Sequence, residues 1–119
     1  ILQQSLDETV VIAQIEEPEG VEAAAGIAAV PGIDGLFVGP ADLTVAYGET
    51  SLWSKRLMED YATVGAACRD AGVANITFIP GPADADRVAA HGVSVFFVSS
   101  EAGWMAASAR AAAKALKPG

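Results

Sequence analysis

The strongest constraint on this chain is a repeated alternation. Four times a short run of β-branched and other apolar residues gives way to a longer, mostly alanine-rich stretch of helical character. The first run, ETVVIAQIE (8–16), leads into EPEGVEAAAGIAAVPG (17–32), which carries acids and a proline in its first turn and stops at Pro31-Gly32. The second, DGLFVG (34–39), passes through PADLTVAYGET to a long helical segment, 51–72. On it Leu52, Leu57 or Met58, Tyr61, Val64 and Cys68 recur at helical spacing, and Gly72 ends it. The third, VANITFIP (73–80), precedes 82–92, and the fourth, VSVFFVSS (93–100), precedes 101–117.

Strands that alternate with helices imply right-handed βαβ crossovers and a parallel sheet covered by helices, because a parallel connection needs a long crossover. The fold class is therefore α/β. Two architectures fit 119 residues: a small open sheet, or four units of a (βα)8 barrel, whose usual length of about 250 residues is close to double. Both place functional groups at the C-terminal ends of the strands. No linker divides the chain, so 1–119 is read as one domain. It opens at Ile1 without an initiator methionine, and the expectation is either a fragment of a longer enzyme or an assembly in which copies complete one another.

Charge and apolar runs remove several function classes. The formal charge is −8, and the seven Lys and Arg residues are scattered, which leaves no basic stripe to neutralise nucleic-acid phosphates or an anionic membrane surface. The longest apolar stretches, such as VSVFFV (93–98), fall far short of the roughly 20 residues of a membrane span, and the start does not resemble a signal peptide. A soluble, cytoplasmic protein is expected. The single cysteine, Cys68, has no partner for an internal disulfide and no Cys or His at ligand spacing, so it reads as a packed helix residue.

Polar residues interrupt the strand ends. In VVIAQIE the faces alternate, so Gln14 and Glu16 point the same way at the mouth of the first strand. The next strand mouth carries Asp42 after Gly39-Pro40, about one interstrand spacing of ~5 Å away. Two carboxylates so placed suit a hard divalent cation, since Mg²⁺ takes one or two protein carboxylates and keeps its other positions for water and substrate oxygens. The same residues have plainer roles: Glu16 as a partner of the helix dipole, Asp42 as an Asx-turn former after Pro40. The Gly39-Pro40 turn is also suited to aim backbone N–H groups at a bound carboxylate.

The stretch VVIAQIEEPEGVEAAAGIAAVPGIDGLFVGPADLTVAYG resembles the central signature of the HpcH/HpaI aldolase family, which includes the citrate lyase beta and malyl-CoA lyase group. The similarity continues through GVANITFIPGPADADRVAAHGVSVFFVSSEAGWMAASARAAAKAL to nearly the end of the chain. A Q-x-E strand end followed about two dozen residues later by G-P-A-D-L is the specific part of the match. The resemblance implies four βα units corresponding to strands five to eight of a phosphoenolpyruvate/pyruvate-type barrel. It implies that Glu16 and Asp42 are metal ligands for Mg²⁺ or Mn²⁺ and that Gln14 lies beside a bound 2-oxo acid. The backbone around Gly39, Ala41 and Asp42 would receive the pyruvate carboxylate, and Ile79 and Pro80 would form part of the substrate wall. The implied chemistry is class II retro-aldol cleavage of a 4-hydroxy-2-oxo acid, the metal acting as Lewis acid toward the pyruvate enolate. A malyl-type CoA-ester lyase is the related alternative, with G-P-A-D-L favouring the simple 2-oxo acid aldolases. A non-catalytic module that binds a metal or a carboxylate is the alternative of another class.

By the same resemblance, the arginine that stabilises the enolate oxygen and the histidine that moves the proton belong to an N-terminal half with no counterpart here. His91, in AAHGV at a helix end, suits the C-terminal dipole rather than catalysis. Arg56, Arg69, Arg87 and Arg110 fall in helical segments and read as surface charges; Lys55, Lys114 and Lys117 also fall in helical segments, away from strand mouths, where no Schiff base would form. Half a barrel would leave two strand edges and one apolar face uncovered, so homo-oligomerisation or association with an N-terminal half is expected. The final helix, with Trp104 and Met105, is a candidate for packing on another subunit.

Overall fold

A computed structural model describes residues 4–5 and 8–116. Its centre is a four-stranded sheet in the order β1-β2-β3-β4, formed by Ile12–Ile15, Gly35–Val38, Ala74–Ile79 and Val95–Val98. All three pairings are parallel, with Ile15 opposite Val38, Val38 opposite Thr77, and Thr77 opposite Phe96. The expected α/β fold is present, with its four strands in one parallel sheet.

The helical segments differ in detail from expectation. The stretch 17–32 holds two short helices, α1 (Pro18–Glu22) and α2 (Ala24–Ala28), separated at Ala23. Helix α3 (Pro40–Ala46) occupies what reads as a loop; Pro40 at its first position supplies the fixed φ of a helix start, and the Thr44 hydroxyl donates 2.6 Å to the Pro40 carbonyl. Helix α4 (Lys55–Ala71) begins three residues after Leu52, where the Ser54 hydroxyl accepts from the Leu57 N–H at 3.2 Å, and ends at Gly72 in the left-handed conformation, φ 73°. A 3-10 turn, Pro82–Asp84, runs into α5 (Ala85–Ala89). The last helix, α6 (Glu101–Ala115), follows β4; Lys117, expected to end it, lies outside the described residues. Among the described residues no helix is long and apolar enough to cross a membrane.

One sheet face is packed and the other is open. Leu36, Val38, Thr77 and Ile79 are buried on the face that receives Leu57, Tyr61, Val64 and Cys68 of α4. Leu57 rather than Met58 is thus the buried member of the helical stripe. Residues of opposite parity share the other face, where Val95 is 40% and Phe97 51% exposed and the Phe37 and Phe97 rings stack at 5.3 Å between centroids. Within the packed layer the Tyr61 hydroxyl lies 2.9 Å from the Thr77 hydroxyl, which donates to the Val38 carbonyl at 2.9 Å and so satisfies polar atoms removed from water. Gly65 permits the closest approach: a Cβ there would lie 2.1 Å from the His91 carbonyl oxygen. By contrast, no residue of α6 is buried.

Candidate functional site

The β1–β2 register brings the two predicted acids together. Ile15 pairs with Val38, and the Gly39 N–H donates to the Ile15 carbonyl at 2.8 Å, so Glu16 and Gly39 leave the sheet side by side. Gln14 and Glu16 share a face as alternation requires, and the Gln14 Nε2 donates to Glu16 Oε2 at 2.7 Å. Asp42 reaches the same place because α3 starts directly at the strand exit, with Gly39 as N-cap and Asp42 in the first turn. Asp42 is therefore part of a helix, not an Asx turn, and its charge there is favourable toward the helix dipole.

Gly39 is the floor on which both acids converge. A Cβ at this position would lie 3.2 Å from Glu16 Cβ and 3.3 Å from Asp42 Oδ2. Glu16 and Asp42 are exposed, whereas Gly39 and Pro40 beneath them are buried. An open pocket of about 290 Å³ is lined by Glu16, Glu17, Asp42, Val45 and Ala46, and a second, of about 270 Å³, by Gln14, Glu16, Glu17 and Gly20. Glu16 borders both. Glu17, Val45 and Ala46 had not been singled out from the sequence; for Val45 the signal was its position one helical turn after Asp42, legible only once α3 is recognised.

Other candidates fall elsewhere. The Gly39 N–H is spent on Ile15 and Pro40 has none, so the backbone donors of this turn reduce to Ala41 and Asp42. Ile79 shares the parity of Thr77, is 1% exposed and belongs to the packed core, while Pro80 is exposed at the mouth of β3. His91 lies in the α5–β4 connection at the opposite end of the sheet, its N–H donating to Val88 at 2.9 Å. Arg56 lies 3.6 Å over the Tyr47 ring and Arg87 4.5 Å over the Trp53 ring, cation–π contacts rather than loose surface charges. Lys55 pairs with Glu59 at 3.5 Å on the surface of α4. Burial pushes the Cys68 thiol up, consistent with an unreactive packing residue.

A further acid escaped the sequence reading. Asp60 is 8% exposed, and its Oδ2 has no hydrogen-bond partner among the described residues. Burial raises its carboxyl above the ordinary range, while the Tyr47 hydroxyl and the Arg56 guanidinium pull the other way. Among the described residues no three His, Cys, Asp or Glu side chains gather as a ready-made metal cage. The mouth therefore offers two carboxylates, one primary amide and a short run of helix N–H groups, a set suited to a hard cation and an oxo acid.

The family model described as HpcH/HpaI aldolase/citrate lyase matches residues 2–107. A 5-keto-4-deoxy-D-glucarate aldolase from Citrobacter koseri is 32% identical, the match covering 96% of this chain and 45% of that protein. A hydroxypyruvate/pyruvate aldolase from Delftia acidovorans is 42% identical over 48% of this chain and 24% of its own length. The chain spans less than half the length of these curated relatives. Among solved structures, an HpcH/HpaI aldolase/citrate lyase family protein from Burkholderia cenocepacia J2315 superposes with a TM-score of 0.87 at 32% identity, covering 99% of this chain and 48% of that one. A citrate lyase beta subunit from M. tuberculosis, complexed with oxaloacetate and magnesium, shares the fold at 22% identity, with a TM-score of 0.65 over 82% of this chain and 50% of that one.

Proposed function

The chain belongs to the HpcH/HpaI aldolase/citrate lyase family, and from that premise we propose that it forms the C-terminal half of a (βα)8-barrel aldolase. The proposed enzyme cleaves a 4-hydroxy-2-oxo acid to pyruvate and an aldehyde, this chain supplying the metal and pyruvate side. The observation that carries the reading is the convergence of Glu16 and Asp42 over Gly39, with Gln14 bonded to Glu16. The aldolase relatives support it, and the fold is shared with a citrate lyase beta subunit complexed with oxaloacetate and magnesium.

The residues fit a hard divalent cation, Mg²⁺ or Mn²⁺. Both acids border a cradle that a single Cβ at Gly39 would fill, both are exposed to an open pocket, and their donors are oxygens. When bound, such a cation supplies Lewis acidity toward the carboxylate and keto oxygens of the 2-oxo acid. Gln14 spends one amide N–H on Glu16 and keeps a second N–H and its carbonyl for substrate. The free N–H groups of Ala41 and Asp42 are placed to orient the substrate carboxylate.

Retro-aldol cleavage breaks the C3–C4 bond, leaves its electron pair on C3, and requires the proton of the C4 hydroxyl to be taken up and C3 to be protonated. Neither pocket at the mouth is lined by an arginine, histidine or lysine. The proton-moving group and the oxyanion-stabilising cation are therefore proposed to come from outside these four units. Calorimetric titration with Mn²⁺ and Mg²⁺ tests the assignment: Asp42→Ala should abolish binding with the circular dichroism spectrum retained. Unchanged affinity in that variant would refute it.

A further inference from the structure

Glu17 breaks the local rule for the place it occupies. It is the N-cap of α1, in extended conformation at φ −129° and ψ 151°, and Pro18 follows at the start of the helix. Such a position favours Ser, Thr, Asp or Asn, whose short side chains accept from the N–H groups two or three residues on. The Glu17 side chain makes no such bond. It is exposed, and the ion pairs among the described residues lie elsewhere, on α4.

The root of the side chain is nonetheless fixed. The Glu17 carbonyl accepts from the Gly20 N–H at 3.0 Å and from the Val21 N–H at 3.2 Å, and Val21 is 6% exposed in the core. A free carboxylate thus stands on a held backbone, and it stands at the mouth. Glu17 borders both pockets, the one shared with Asp42, Val45 and Ala46 and the one shared with Gln14 and Gly20. A poor cap at such a place fits a residue kept for the site rather than for the helix, since local rules are broken most often at functional positions.

Charge separates Glu17 from its neighbours. With Glu16 and Asp42 neutralised by a divalent cation, the carboxylate of a 2-oxo acid and that of Glu17 leave the mouth negative. An aldehyde that carries its own carboxylate is repelled there. An uncharged aldehyde is not, and Val45, 77% exposed in the same pocket, offers it an apolar wall beside Ala46.

We propose that Glu17 is a specificity-determining residue that turns the site away from aldehydes bearing a carboxylate and toward uncharged ones. The proposal deepens the aldolase reading of this mouth and rests on it. In the synthetic direction pyruvate C3 loses one proton, its electron pair bonds to the aldehyde carbon, and the aldehyde oxygen takes up one proton to become the C4 hydroxyl. Glu17 takes no part in these transfers and acts through its charge on what approaches. A unit charge roughly 7 Å from another, at an effective dielectric constant between ~80 and ~20, changes a rate ratio by about 3- to 50-fold.

Glyoxylate and glycolaldehyde, which differ in a carboxylate against a hydroxymethyl group, make the test. The value of kcat/KM for addition of pyruvate to each is measured in the complete enzyme at about 0.01 M and about 1 M salt, between which the Debye length falls from about 30 Å to about 3 Å. Glu17→Gln should raise the glyoxylate-to-glycolaldehyde ratio by about 3- to 50-fold at low salt, and the difference from the parent should fade at high salt. Glu17→Ser should do the same and raise the melting temperature, because serine caps α1. Calorimetric Mn²⁺ affinity should fall by less than about tenfold in both variants, the effect of a distant charge and not of a lost ligand. An unchanged ratio in both variants would overturn the proposal, as would a changed ratio that ignores salt, which reports side-chain volume. Abolished Mn²⁺ binding in Glu17→Gln would make Glu17 a ligand, and a lower melting temperature in Glu17→Ser would make it a structural residue; either result overturns the proposal. Should Glu17→Gln fail to fold, Glu17→Ser, with its added cap, decides the question. A parent that joins pyruvate to neither aldehyde overturns the aldolase reading and this proposal with it, whereas one that joins them in a ratio indifferent to Glu17 overturns this proposal alone.

Discussion

Gly39→Ala is the most economical test of the mouth geometry. Gly39 has φ −87° and ψ 90°, a conformation open to alanine, so the change introduces one methyl group with little backbone strain. That methyl would lie 3.2 Å from Glu16 Cβ and 3.3 Å from Asp42 Oδ2, each a few tenths of an ångström inside ordinary contact at about 3.5–4.0 Å. Glu16 Cβ is held by the end of β1 and cannot swing away. The Asp42 carboxylate can rotate, so it yields. The crowding is small enough to be largely offset by the roughly 0.4–1 kcal/mol that alanine gains through the unfolded chain, and the melting temperature should move by no more than a few degrees. Metal binding should suffer far more. Mg²⁺ requires near-octahedral oxygens at about 2.0–2.1 Å, and disturbance around a ligand commonly weakens affinity by about 10–100-fold. Calorimetry with Mg²⁺ and Mn²⁺, beside a thermal melt followed by circular dichroism, measures both quantities. Equal affinity in the variant and the parent would refute the convergence of Glu16 and Asp42 on a shared cation.

Two further substitutions probe the scaffold. Gly65→Ala drives a Cβ to within 2.1 Å of the His91 carbonyl oxygen, in a turn tied by hydrogen bonds to Val88 and Ala89, so α4 must retreat. Overpacking of about 1–3 kcal/mol should lower the melting temperature by about 5–15 °C, and a melt at or above the parent's would contradict the close approach. At Asp60 the raised carboxyl pKa means that the folded state favours the protonated form. Its contribution is fully present below the ordinary carboxyl value of 3.8 and is lost as pH rises through the raised value. Asp60→Asn should therefore stabilise the protein at neutral pH, with the advantage shrinking as the pH falls toward 3.8; a pH-independent difference in urea midpoints would count against it.

Much of the layout was legible in the residues, for reasons particular to each. The four strands announced themselves because parallel strands covered by helices are apolar runs between turn residues, and the Gln14–Glu16 pair because alternation has a period of two. The same parity, carried from Thr77 to Ile79, would have placed Ile79 in the core. Helix α3 was missed because Gly39-Pro40-Ala41-Asp42 reads equally as a turn and as a helix start, and only the strand before it decides which. Asp60 reads as the polar face of α4, yet the segment around Tyr47 and Glu49 folds over it. The contacts of Arg56 with Tyr47 and of Arg87 with Trp53 join residues that no helical spacing relates, so pattern alone could not supply them.

The isolation of α6 bears on how the chain loses its structure. Ser100 caps it by accepting from the Gly103 N–H at 3.1 Å, and its alanines favour a helix, but it has no buried side chain. A helix of 15 residues on those resources is close to the limit of stability in water, where segments shorter than about 12–15 residues are marginal. Until it is seated against another surface, α6 forms and melts as a unit separate from the sheet layer. Total helicity and the environment of Tyr61, 1% exposed beneath α4, then report different events, and a single unfolding free energy does not describe the chain. Strands β1 and β2, beyond whose ends Glu16 and the α3 residue Asp42 lie, stand on the more stable side of that division, so the terminal helix can open while the acids keep their places.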